Sequence, residues 1–254
     1  MTILSKKGFK VALATVAAGI LPASAHAATL APNDYVGISF WLISMALIAA
    51  TAFFFIETTR VEGKWKTSLT VSGLVTLVAA VHYFYMRDVW VATGTSPTEF
   101  RYIDWLLTVP LLMVEFYLIM SAVGKVPARV FWNLLGGTTA MLILGYMGET
   151  GAMDVTTAFV LSMLAWFYVI WYIIKGEASQ VNASLANPNV QKAYKTMTWL
   201  VTAGWAIYPL GYFFGYIGGG ADAGTMNLIY NLADFWNKIG FGIVIWAAAV
   251  ADSE

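Results

Sequence analysis

Seven apolar stretches, separated by short polar connections, set the pattern of this chain. They cover residues 35–57, 67–90, 100–123, 130–148, 155–174, 196–217 and 228–250. Each approaches or exceeds the roughly 20 residues that an α-helix needs to cross the hydrocarbon core of a bilayer. Turn-forming runs stand between them, such as Thr93-Gly94-Thr95-Ser96-Pro97 and the residues from Asn182 to Pro188. A backbone in lipid must satisfy its own hydrogen bonds, so the stretches are predicted to be helices. The fold class is then an all-α membrane protein, a seven-transmembrane-helix bundle. No connection is long enough for a second domain, and no internal repeat is visible.

An eighth, shorter apolar run covers 11–21. Lys6, Lys7 and Lys10 precede it and Ala25-His26-Ala27 follows. A basic start, a short apolar core and a small-x-small site predict a cleavable signal peptide over 1–27, leaving 28–254 as the bundle. The other reading is an additional first span, for which this run has about half of the ~20 residues required.

Loop charges orient the bundle. The first, third and fifth connections are assigned Arg60, Lys64, Lys66, Lys125, Arg129, Lys175, Lys192 and Lys195. The second, fourth and sixth are assigned only Arg87 among basic residues, against Asp88, Glu99, Glu149, Asp154 and Asp222. Basic connections stay in the cytoplasm, which places the mature N-terminus outside and the C-terminus inside. Composition adds limits. The chain is 59% hydrophobic and 11% charged with zero net charge, so nothing points to nucleic acid. It has no cysteine and two histidines, one of them in the signal region, so no metal site is expected.

The chemistry lies in charges inside the spans. Lys238 sits mid-span in the seventh stretch, among Phe235, Trp236, Ile239 and Phe241. An ammonium there costs about 2.5–3.5 kcal/mol on insertion scales, so it needs a partner or a covalent modification. Asp234 lies one helical turn earlier on the same face. A desolvated amine beside a carboxylate suits imine formation with a carbonyl compound, the carboxylate balancing the resulting cation. In the third span Asp104 and Glu115 are eleven positions apart. At about 100° and ~1.5 Å per residue they share a face and stand roughly 16 Å apart along the membrane normal. Thr108 is one turn from Asp104 on that face, and Arg101 nearly one turn to its other side. The order is then Asp104 toward the outside, Lys238 in the middle and Glu115 toward the cytoplasm. Such an order is what a stepwise proton relay requires, and ionisable residues within a membrane mark function by default. The alternative is ion pairing that only holds helices together.

Other residues stay open on their own evidence. His82, among Val81, Tyr83 and Phe84, fits a satisfied core histidine as well as a functional one. Pro110 and Pro209 fit tolerated kinks. Trp105, Trp205 and Tyr208 fit plain packing, and also the flat walls that a long conjugated ligand on Lys238 would need.

Three separated motifs resemble the microbial rhodopsins, and the proteorhodopsins most closely. They are Arg101-Tyr102-Ile103-Asp104-Trp105-Leu106-Leu107-Thr108-Val109-Pro110, Trp205-Ala206-Ile207-Tyr208-Pro209 and Asp234-Phe235-Trp236-Asn237-Lys238. Trp65-Lys66-Thr67-Ser68-Leu69-Thr70 adds to the match. The resemblance implies a light-driven outward proton pump in the bacterial inner membrane, not an enzyme. All-trans retinal is then bound to Lys238 as a protonated Schiff base. Asp104 corresponds to the counterion and proton acceptor, Asp234 to a second counterion, Arg101 to the arginine supporting both and Glu115 to the cytoplasmic proton donor. Thr108 completes the Asp-Thr-Glu triplet of outward proton pumps. His82 corresponds to a histidine bonded to the acceptor, and Trp105, Trp205, Tyr208 and Pro209 to the retinal pocket. Leu112 stands where leucine goes with green absorption. The resemblance further implies a homo-oligomer, a pentamer or hexamer, with Trp41 and His82 near the protomer boundary. No carotenoid antenna is expected: the fifth span lacks the glycine that opens a window onto the retinal ring and carries Trp166, Phe167 and Trp171. A chloride pump would lack Asp104, and a sodium pump would show Asn-Asp-Gln. A photosensor signalling through a transducer commonly lacks a carboxylate at Glu115.

Overall fold

A computed structural model describes residues 30–253, so the expected signal peptide over 1–27 lies outside the described residues. Five rods come first: α1 (Tyr35–Glu57), α2 (Trp65–Thr93), α3 (Thr98–Val123), α4 (Ala128–Glu149) and α5 (Val155–Ile174). A short helix, α6 (Glu177–Leu185), follows. The sixth rod is α7 (Pro188–Trp199), a π-turn (Leu200–Gly204), α8 (Ile207–Tyr212) and a second π-turn (Phe213–Ile217). The seventh is α9 (Ala223–Asp234), a π-turn (Phe235–Ile239) and α10 (Gly240–Ser253). The first five rods pack in sequence order, and the seventh closes the ring against α1, α2 and the sixth. Among the described residues there is no strand.

Six of these rods are long and apolar enough to cross a membrane. The seventh is long enough, but Asp234, Asn237 and Lys238 interrupt its apolar run. Burial is inverted relative to a water-soluble bundle. Leu42, Trp132, Leu164, Trp171 and Trp236 are exposed, whereas Arg101, Asp104, Glu115, Asp234 and Lys238 are buried. Lipid solvates the first set, and only partners inside the bundle can stabilise the second. The chain is a multi-pass membrane protein.

Local chemistry sets the ends. Asp34 caps α1 by accepting from the Gly37 N–H at 2.8 Å, and also accepts from Trp90 Nε1 at 3.0 Å, tying α1 to the end of α2. Gly94 ends α2 with φ at 66°, a left-handed conformation that glycine adopts without strain. Asp154 and Asp222 cap α5 and α9, and the backbone N–H groups of Thr157 and Thr225 hold their carboxyls below the usual range.

Two expectations need correction. The sixth rod begins at Pro188, not at 196, because Asn187 caps it by accepting from the Val190 N–H at 3.0 Å and proline suits the first helical turn. Lys192 and Lys195 therefore stand on a helix and not in a connection. Glu99 likewise belongs to α3, Arg129 and Glu149 to α4, and Lys66, Asp88 and Arg87 to α2. The Arg87 guanidinium pairs with Asp88 at 2.9 Å and lies 5.3 Å from the centroid of the Trp41 ring, so the polar residue does not break the helix.

Candidate functional site

The π-turns shape the middle of the bundle. Pro209 has no N–H to offer the carbonyl one turn back on Trp205, and that carbonyl accepts from the Tyr208 N–H at 3.1 Å instead. Just before it, the Trp205 N–H reaches back five residues to the Leu200 carbonyl at 3.0 Å. In the seventh rod the wide turn contains Lys238 itself. Such turns recur at functional sites because they displace side chains from the regular helical path.

Lys238 Nζ is ion-paired with Asp104 and lies 3.1 Å from Asp234 Oδ2. Burying ions costs several kcal/mol each, which only partners this close can offset. The two carboxylates differ. Asp234 accepts from Tyr208 Oη at 2.7 Å, Tyr83 Oη at 2.9 Å and Trp105 Nε1 at 3.3 Å, so both its oxygens are engaged. Asp104 has Oδ2 on the lysine and Oδ1 without any partner, in complete burial. Oδ2, hydrogen-bonded to the charged nitrogen and without the extra donors that hold Asp234, is the place where a proton can be received.

Other assigned residues fall around this pair. Thr108 donates to the backbone carbonyl of Asp104 at 2.9 Å and not to its carboxylate. Arg101 is buried, but its guanidinium donates to Asn227 Oδ1 at 2.7 Å and Asn231 Oδ1 at 3.2 Å. The two asparagines, and not the two aspartates, hold it by hydrogen bonds. The His82 Nδ1 is 2.9 Å from the Val78 carbonyl, and among the described residues no hydrogen bond joins the ring to Asp104. Glu115 is fully buried. Ser72 Oγ donates to its Oε1 at 3.3 Å, and its Oε2 has no partner.

Beside Lys238 lies a cavity with about 810 Å³ of empty space, its opening included. Trp105, Leu112, Trp205, Tyr208, Pro209 and Trp166 are among its walls. Trp105 and Tyr208 meet edge to face, with ring centroids 5.2 Å apart. An amine at one end and flat apolar walls along the length fit a long conjugated aldehyde such as retinal. Of the three fifth-span rings, only Trp166 is on this wall. Phe167 and Trp171 are about half exposed on the outer surface, so those two do not close a window onto the cavity.

Several contributors escaped the sequence reading. Tyr83 looks like ordinary core beside His82, and only the fold brings it to Asp234. Asn227 and Asn231 do have a sequence signal: with Asp234 and Lys238 they form a polar stripe at helical spacing. Asn237, one residue before Lys238, donates its Nδ2 to the Gly204 carbonyl at 3.2 Å, a contact that only the fold reveals.

The chain matches the family described as bacteriorhodopsin-like protein over residues 34–251. It is 54% identical to a green-light absorbing proteorhodopsin from Gamma-proteobacterium EBAC31A08, over 100% of this chain and 99% of that protein. Among solved structures, the blue light-absorbing proteorhodopsin from Med12 is 51% identical with a TM-score of 0.75, covering 86% of this chain and all of that one. Xanthorhodopsin, described as a light-driven ion pump with dual chromophore, is 26% identical with a TM-score of 0.76, covering 88% of this chain and 96% of its own. Lysine, paired aspartates, apolar cavity and these likenesses coincide on one fold, and the chain belongs to the bacteriorhodopsin-like family of microbial rhodopsins.

Proposed function

We propose that this protein is a light-driven outward proton pump of the bacterial inner membrane, with all-trans retinal joined to Lys238 as a protonated Schiff base. One observation carries the reading: Lys238 Nζ stands between two buried carboxylates at the end of an apolar cavity, with a third buried carboxyl at Glu115. Bound retinal would supply the absorption of visible light and a change of shape at the lysine. The remaining work falls to the chain. Asp104 receives the proton from Nζ on Oδ2, the oxygen already hydrogen-bonded to it, on the outer side. Asp234, held by Tyr83, Tyr208 and Trp105, keeps its charge and its place. Glu115 returns a proton to Nζ from the inner side. The positive-inside distribution of loop lysines and arginines gives the direction. The fully covered proteorhodopsin relative and the light-driven ion pump description of xanthorhodopsin support transport over enzymatic chemistry. The test uses retinal-supplied, inside-out membrane vesicles with a pH dye in the lumen. Light should acidify the lumen; alkalinisation, or no change, contradicts the reading.

Separate steps imply separate phenotypes. Glu115→Gln should keep the dark colour nearly unchanged, since this carboxyl does not contact Nζ. It should slow return of the proton to Nζ by roughly 100-fold, the scale of losing one acid–base group. Flash photolysis reads both, and a colour shift as large as that of Asp104→Asn would contradict the roles.

His82 and Trp41 lead to an assembly prediction. Trp41 is 41% exposed, packed at 5.8 Å on Phe84. His82 lies two positions from Phe84 on α2 and is half-buried. We place both near a protomer boundary in a pentamer or hexamer. His82→Met should move the midpoint of the colour-versus-pH titration of Asp104, and Trp41→Ala should lower the oligomer mass in mild detergent. An unmoved midpoint would sever His82 from the acceptor.

No carotenoid antenna is expected, on the strength of Trp166 alone at the cavity wall. Hydroxylated carotenoids mixed with the purified protein should leave the excitation spectrum of retinal fluorescence free of carotenoid bands. Their appearance would overturn this expectation.

A further inference from the structure

Glu115 must be refilled with a proton from the inner medium in every cycle, yet its carboxyl is fully buried. α2 carries Lys64, Ser68, Ser72 and Thr76 at four-residue intervals from its N-cap inward, so each stands one turn from the next with a drift of about 40°. Lys64 is exposed and the other three are buried. Ser72 contacts Glu115 at 3.3 Å. Thr76 closes the row: it donates to backbone carbonyls of Ser72 and Gly73 at 3.1 Å and accepts from Thr51 Oγ1 at 2.8 Å. Between surface and donor stands Ser68, completely buried, its Oγ close to the Glu115 carboxyl but without a well-formed hydrogen bond. Near the end of α3, Ser121 is 9% exposed and its Oγ is also unpartnered. Ser121 lines an open depression together with Lys64, Thr67, Gly124 and Lys125. Buried hydroxyls are almost always hydrogen-bonded, so two open ones and the open Glu115 Oε2 in one region call for an explanation.

We propose that Ser68 and Ser121 form the proton-uptake route that refills Glu115, entered at the depression between the start of α2 and the end of α3. The proposal rests on Glu115 being the donor to Nζ. Four residues of helix rise about 6 Å, longer than a hydrogen bond, so transfer between hydroxyls runs through water. Each hydroxyl accepts a proton on a lone pair and releases its own onward, ending unchanged. The inner medium loses one proton and the Glu115 carboxylate gains it.

The test is pulsed illumination of retinal-loaded protein in vesicles, following proton uptake with a pH dye and Nζ reprotonation by visible absorption. Ser68→Ala removes a hydroxyl that does not contact Nζ and should leave the dark spectrum unchanged. Uptake should slow about tenfold, less than the ~100-fold expected for losing an acid–base group, because water can partly replace a hydroxyl. Ser68→Ala with Ser121→Ala should slow it further, and Ser68→Thr should restore the rate. Uptake at the wild-type rate in the double variant overturns the route, and so does a slowing that Ser68→Thr fails to reverse. Glu115→Gln separates the two levels. If it leaves Nζ reprotonation unchanged, the donor assignment fails; if it slows that step while the serine variants take up protons normally, only the route fails.

Discussion

Lys238→Ala should yield a colourless protein after retinal is supplied. The cavity would keep its walls, but no other lysine lies among its lining residues to form the covalent link. The substitution also strips the cation from between Asp104 and Asp234, both fully buried. Removing one partner of a buried ion pair costs about 3–5 kcal/mol because the charge left behind is uncompensated. The variant should therefore melt at a lower temperature as well as lose its band. Absorbance of the purified, retinal-treated protein decides the matter. A full visible band with no added amine would show that the link is elsewhere.

Asp104→Asn should give a coloured protein, shifted to the red, that does not pump. Colour survives because Asp234 stays 3.1 Å from Nζ with its own three donors. The red shift follows from losing the nearer negative partner, which had stabilised the positive charge at the nitrogen in the dark. Pumping fails because an amide oxygen cannot take a proton at these strengths of acid. Losing an acid–base group of this kind costs at least ~100-fold in rate. Transient absorption should show the Nζ proton retained after the flash. Normal deprotonation of Nζ in this variant would give the acceptor role to another group, Asp234 first.

The fold was legible because lipid imposes a simple code: long apolar runs become helices, and polar turns separate them. The site was legible where a charge stood inside such a run. Asp104, Glu115, Asp234 and Lys238 each violated the apolar pattern, and the structure brings Asp104, Asp234 and Lys238 into contact. Glu115 stands apart, against Ser72. What escaped was set by tertiary contact or by backbone winding. Nothing in the sequence around Tyr83 signals that its hydroxyl reaches a carboxylate on another helix. The π-turn at Phe235–Ile239 has no composition signature, yet it carries Lys238. Arg101 followed the expected path into the bundle but donates there to Asn227 and Asn231, which stand two turns and one turn before Asp234 and which only the fold brings to it.

The most direct measurement is the pH of an unbuffered suspension of cells making the protein with retinal. Light should acidify the medium, darkness should reverse the change, and a protonophore should abolish it. Cells carrying Lys238→Ala should show no response. A light-driven alkalinisation that a protonophore enhances would mean that another ion is moved and protons follow passively. No change at all, in coloured cells, would remove pumping and leave light sensing as the function of the same site.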